Sequence, residues 1–290
     1  MSYGFGDPLS NGQGTAVTDY IDIDYDGRSS QFSYVFAIRK TGQVSGSFTR
    51  LLDNIAGGTR TFFLDIAGAA LGTGKPGANI GRATSATFAT DTSFRTLGTG
   101  GWYWVIMTYD GLSTANKPIF YTAPFAGSVT KQANPTQSGS SGAMDNTPGL
   151  MRVGNRGSAA LDRPYEGYLA ELSIWEDYVL SDAEVANIVA GRSPMDPTYF
   201  DQSKLSYYNR LKDNAIPVKG GTSSTVAGAV LYAAENPGVD DPPVGDADLL
   251  PVDGLHAHTA DHVLLGYFDP SVTMPLHPTR VQDIKTLIRM

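Results

Sequence analysis

Over residues 15–175 apolar side chains recur at every second position, in short runs broken by Gly, Asn, Asp and Pro. Successive side chains of a strand alternate faces, so a period of two is the signature of half-buried strands. Helical periodicity is scarce there, which predicts an all-β sandwich or barrel. In Tyr20-Ile21-Asp22-Ile23-Asp24-Tyr25-Asp26-Gly27 the apolar residues point one way and the three aspartates the other. Phe32, Tyr34, Phe36 and Ile38 repeat the pattern, and Phe62 to Ile66 forms another short run. Trp102 to Met107 is apolar on both faces, as expected of a central strand covered on both sides. Tyr168, Ala170, Leu172 and Ile174 read as one further inward row.

After Trp175 the period changes to about 3.6, and one short helix is expected near residues 181–190. Ser181 and Glu184 have capping-box spacing, Leu180 and Val185 form a hydrophobic staple, and Val185, Ile188 and Val189 make one apolar stripe. Gly191 closes the helix and Pro194 prevents its continuation. Residues 205–211 and 230–232 read as further strands. Seven prolines from Pro237 to Pro278 then break up the chain, so residues 236–290 are expected to be an extended arm with little core of its own. This divides the chain into a sandwich at 1–235 and a docking arm at 236–290.

Composition narrows the function classes. The 21 Lys and Arg against 29 Asp and Glu give a net charge of −8, which removes the positive field that binds nucleic acid or anionic lipid. No window approaches the roughly 18 to 20 apolar residues of a membrane span, and residues 1–7 lack the pattern of a secretion signal. With no cysteine, disulfides, thiolate metal sites and cysteine nucleophiles are excluded.

Glycoside hydrolysis needs two carboxylates about 5 to 10 Å apart. The strand motif Glu-x-Asp-x-x-Glu that supplies them in sandwich glycosidases is missing, and Glu171 stands alone on its strand. A Gly-x-Ser-x-Gly elbow is also missing, and the four histidines are all in the tail. Gly72-Thr73-Gly74-Lys75-Pro76 departs from a phosphate loop at both ends and reads as a hairpin loop. Asp22, Asp24 and Asp26 are candidate calcium ligands, because that ion takes roughly six to eight hard oxygens. His256 and His258 face the same way on an extended segment, with His262 close by, and imidazole suits zinc, copper, iron and nickel; the alternative is a simple inter-chain hydrogen-bonding role. Trp175, at a strand's end opposite Leu172 and Ile174, is the candidate sugar-stacking platform, against a core role as the alternative.

Three segments carry a family resemblance: Arg152-Val153-Gly154-Asn155, Tyr165 to Trp175, and Leu180-Ser181-Asp182-Ala183-Glu184-Val185. Together they resemble the closing signature of laminin-G-like, concanavalin A-like jelly rolls, and Trp102 with Tyr109-Asp110-Gly111 is similar to the family's preceding strand and turn. The resemblance covers about two thirds of the chain. It implies a jelly-roll β-sandwich, a fold that hosts lectins, glycosidases, adhesion modules and virus coat components, often with calcium at a rim. Ser193-Pro194-Met195, Leu205-Ser206-Tyr207-Tyr208, the 228–237 run and the 255–265 segment resemble the C-terminal parts of laminin-G-like proteins in tailed bacteriophages and prophages. That likeness implies a non-enzymatic virion protein, made in the host cytoplasm and exposed as capsid decoration or tail fibre. It would dock to other virion proteins through residues 236–290 and assemble as a homo-oligomer, with three copies favoured; three His-x-His pairs would then surround one ion. The alternative reading is a lectin module for host-surface glycans, with or without calcium; a glycan hydrolase is third.

Overall fold

The computed structural model describes residues 2–5, 20–23, 25, 29–40, 48–56, 59–67, 74–84, 86–89, 97–98, 100–125, 127–133, 135–138, 141–144, 150–157, 164–211, 217–221, 224–227 and 230–232. The chain divides into two compact units, Met1–Ala247 and Asp248–Met290, and every described residue lies in the first. The expected boundary at 235/236, the arm, and His256, His258 and His262 lie outside the described residues.

In chain order the strands are β1 (Ser2–Phe5), β2 (Tyr20–Ile23), β3 (Gln31–Lys40), β4 (Phe48–Ala56), β5 (Thr59–Ala67), β6 (Lys75–Ile80), β7 (Arg82–Thr84), β8 (Ala86–Ala89), β9 (Trp102–Asp110), β10 (Ile119–Pro124), β11 (Thr130–Gln132), β12 (Thr136–Ser138), β13 (Ser141–Met144), β14 (Leu150–Val153) and β15 (Gly167–Glu176). Helix α1 (Asp182–Val189) follows, then β16 (Leu205–Asn209), β17 (Ser224–Ala227) and β18 (Val230–Tyr232). One large sheet runs β11-β10-β9-β3-β15-β1-β18, with β16 also on β15; a second runs β12-β8-β6-β5-β4-β14-β2-β17, and β13 and β7 pair in a small two-stranded sheet. The named strand pairs are antiparallel. This is a jelly-roll β-sandwich, with one short helix among the described residues.

The alternation of the sequence becomes layers. Phe32, Tyr34, Phe36 and Ile38 of β3 join Val105, Met107 and Tyr109 of β9 in the core between the sheets, where Ile21, Leu52, Ile80 and Val153 meet them from the opposite side. On the other face of the first sheet, Val35, Ala37, Trp102, Trp104 and Ile106 form a second core with Leu180, Val185, Ile188 and Phe200. The first sheet is therefore a middle layer, which is why β9 is apolar on both faces.

The expected single row Tyr168, Ala170, Leu172, Ile174 is corrected by a bulge. Pairing with β3 moves from Ala170↔Ala37 to Ser173↔Val35, so β15 uses three steps where β3 uses two. Glu171 is the extra residue, at φ 54. The phase flips there: Tyr168 and Ala170 face the helix side, while Leu172 and Ile174 face the inter-sheet core. At the start of β15, Gly167 has φ 144 and a Cβ on it would lie 2.1 Å from the Arg39 carbonyl oxygen, so only glycine fits.

Helix α1 forms as its sequence signals. The Ser181 hydroxyl accepts from the Glu184 N–H at 3.3 Å, and the Glu184 carboxylate accepts from the Ser181 N–H at 2.8 Å. At the other end the Gly191 N–H reaches the Ile188 carbonyl and the Arg192 N–H the Asn187 carbonyl, with Gly191 at φ 82, which is a Schellman closure. Ser33 of β3 pins the approach to the helix, its hydroxyl accepting from the Leu180 N–H and donating to the Tyr178 carbonyl.

Candidate functional site

On the second sheet the register places Asp22 of β2, Arg152 of β14 and Asp53 of β4 side by side, because Arg152 is the direct partner of both aspartates. Directly opposed residues share a face, and the neighbours Ile21, Leu52 and Val153 occupy the core face. This row therefore lies on the outer face. Arg152 Nε and Nη2 donate to the two oxygens of Asp22 at 2.6 and 2.8 Å, a bidentate pair. The Tyr20 ring lies over the guanidinium at 3.6 Å. Burial lowers the affinity of Arg152 for its proton, but the Asp22 hydrogen bond and charge outweigh it and the net shift is upward.

Asp53 is fully buried. One oxygen accepts from the Gly157 N–H at 3.2 Å and lies 3.5 Å from Arg50 Nε; the other has no hydrogen-bond partner. Desolvation pushes its carboxyl up to about 6, against the opposing pull of Arg50, the Gly157 N–H, Arg156 and Arg152. An arginine and aspartate network of this kind fixes the fold of the 154–157 loop over β4. Offering open ligand positions is a different task, and the arginines would repel a cation.

Of the candidates read from the sequence, Asp22 and Trp175 fall among the described residues. Asp22 is engaged by Arg152, while Asp24 and Asp26 lie outside the described residues. Among the described residues no group of three His, Asp or Glu is placed to hold a metal ion. Trp175 is fully buried, packing on Phe200 at a centroid distance of 6.1 Å, which corrects the sugar-platform reading: the face opposite Leu172 and Ile174 is the one α1 and its following loop cover. Glu171 is also buried, accepting from the Tyr208 hydroxyl at 2.5 Å and from Arg210 Nε at 3.4 Å. Lys75 and Pro76, from the phosphate-loop lookalike, open β6 opposite Ala67 and Ile66, so that motif enters a strand where a phosphate loop needs a helix. At the start of α1, Asp182 accepts from Tyr121 at 2.8 Å and from Lys131 at 2.7 Å, which holds its carboxyl below the usual range. Sequence reading missed the Arg152 and Asp53 link, since it depends on strands about a hundred residues apart becoming neighbours.

No protein-family model and no curated protein matches this chain. Among solved structures it is similar to a native heptameric SAP-like pentraxin from Limulus polyphemus, with 12% identity, a TM-score of 0.48, and coverage of 78% of this chain and 93% of that one. It is also similar to a protein described as carbohydrate binding from Bacteroides ovatus, with 15% identity, a TM-score of 0.48, and coverage of 84% of this chain and 61% of that one. A third likeness is to the enzymatically active domain of tailspike protein 2 from bacteriophage CBA120, with 12% identity, a TM-score of 0.45, and coverage of 66% and 28%. At these values the likenesses assign neither ligand nor activity. The fold stands on the sheet topology itself.

Proposed function

We propose that this chain is a non-enzymatic structural protein of a bacteriophage particle, exposed on the capsid or the tail, with residues 236–290 as its docking element. One observation carries the non-enzymatic part: of the two acids in β15, Glu171 is buried and engaged by Tyr208 and Arg210, and Glu176 stands five residues on at the strand's end. A proton donor must reach its substrate, and Glu171 faces its own strand neighbours. The virion assignment is supported by the resemblance of the 193–195, 205–208, 228–237 and 255–265 segments to phage proteins. Docking through 236–290 is supported by proline-rich composition, since such a segment buries too little apolar surface to stand alone. The carbohydrate-binding alternative would have to find a platform other than Trp175.

Two measurements test this reading. Particles assembled with a chain lacking residues 236–290 should not contain it, and normal incorporation would reject the docking role. Incubation with bacterial surface polysaccharides should release no reducing ends above background; turnover abolished by Glu171→Gln would replace the structural reading with a hydrolase.

A further inference from the structure

Each side of the sandwich ends on two strands that follow one another in sequence, called a corner below. On one side β11 ends the first sheet and β12 the second, three residues apart in sequence; on the other side β18 and β17 do the same, two residues apart. Among the described residues, each of these four strands pairs on one side only. Sheet edges are natural templates for a further strand, and proteins guard them with lysine, proline or charge.

The two corners differ in this respect. At the first, Lys131 of β11 projects with its side chain 39% exposed, and Pro135 immediately precedes β12. At the second there is no such guard. Residues 220–234 carry neither charge nor proline, the longest stretch of this kind in the chain.

We propose that the β17–β18 corner is a strand-addition surface for a second copy of this chain, paired antiparallel about a two-fold axis. An antiparallel edge is its own complement: a two-fold rotation sets the strand against itself in the opposite direction, where its outward N–H and C=O groups, unpaired among the described residues, find each other. Charge selects the same place. The chain carries a net charge of −8, so two copies repel over most of their surfaces and approach most cheaply along an uncharged edge. Two-fold closure gives two copies in place of the three favoured from sequence.

Sedimentation of the full chain at micromolar concentration should give twice the 30.8 kDa chain mass. The double variant Thr225→Lys, Val230→Lys places like charges on both edge strands and should run as a monomer with unchanged circular dichroism. Lys131→Glu, at the guarded corner, should stay dimeric. A monomeric or trimeric wild-type chain, or a double variant that remains dimeric, overturns the proposal. Should the double variant misfold, amide exchange of the wild-type chain decides. Protection of 224–227 and 230–232 that rises with protein concentration supports pairing between copies. Protection independent of concentration means the chain covers its own edge, and the proposal fails.

Discussion

Trp175 shows how much a side chain's role depends on what lies above it. Its ring is fully buried between β15 and Phe200, and its indole nitrogen has no hydrogen-bond partner. Trp175→Ala should therefore destabilise the fold by about 3 to 5 kcal/mol, the usual range for removing a large buried aromatic. Trp175→Phe should cost less, because it keeps an aromatic contact and removes a buried donor without an acceptor. Thermal melts of the pair check this, and an unchanged Tm for the alanine variant would refute the burial argument. Asp53 gives a prediction of a different kind. Its carboxyl is raised in the folded chain to about 6, above the ordinary value near 3.9. The folded state then holds a proton more readily than the unfolded one, so this residue's contribution to stability grows as pH falls from about 7 to about 5. Denaturant midpoints for the wild type and Asp53→Asn, compared across that window, should show the wild type gaining about 1 kcal/mol relative to the variant towards the acid end. Parallel curves would show that Asp53 does not titrate there.

At the scale of elements, α1 is the part whose whole construction is readable from sequence. Ser181, Glu184, Leu180, Val185 and Gly191 each perform locally the task their spacing predicts, since a cap or a staple involves only residues within one turn. Ser181→Ala should cost about 1 kcal/mol through the lost cap, measured by chemical denaturation; no change would mean that packing under the helix alone sets its start. The central strands β3 and β9 were equally legible, β3 from its alternating Phe32, Tyr34, Phe36 and Ile38 and β9 from a run apolar on both faces. Strand β15 was not. Its bulge at Glu171 inserts one residue that no hydrophobic pattern marks, and the phase beyond it is decided by pairing with β3 and by the bond from the Glu171 N–H to the Arg210 carbonyl. The candidate site suffered more from the same limit. Whether Asp22 is a free ligand or an arginine's partner depends on which strand lies beside β2, and that is a property of the topology.

At the scale of the whole molecule, the two ends of the sandwich are woven together. Strand β1 sits between β15 and β18, and β2 sits between β14 and β17. Removing residues 224–290 should strip an edge strand from both sheets and lower the Tm by far more than removing 236–290, which takes no described strand; equal losses would show that β17 and β18 contribute nothing to the sandwich. The same weave sets an order of events in time. Tyr3 pairs with Leu169 on one side and Leu231 on the other, so β1 must wait for the synthesis of β15, far along the chain, before either neighbour exists. Such long-range pairing folds slowly. In a nascent chain, residues 2–5 and 20–23 lack these strand partners until residues 150–176 are made, and the unfinished protein is most open to wrong pairing during that wait.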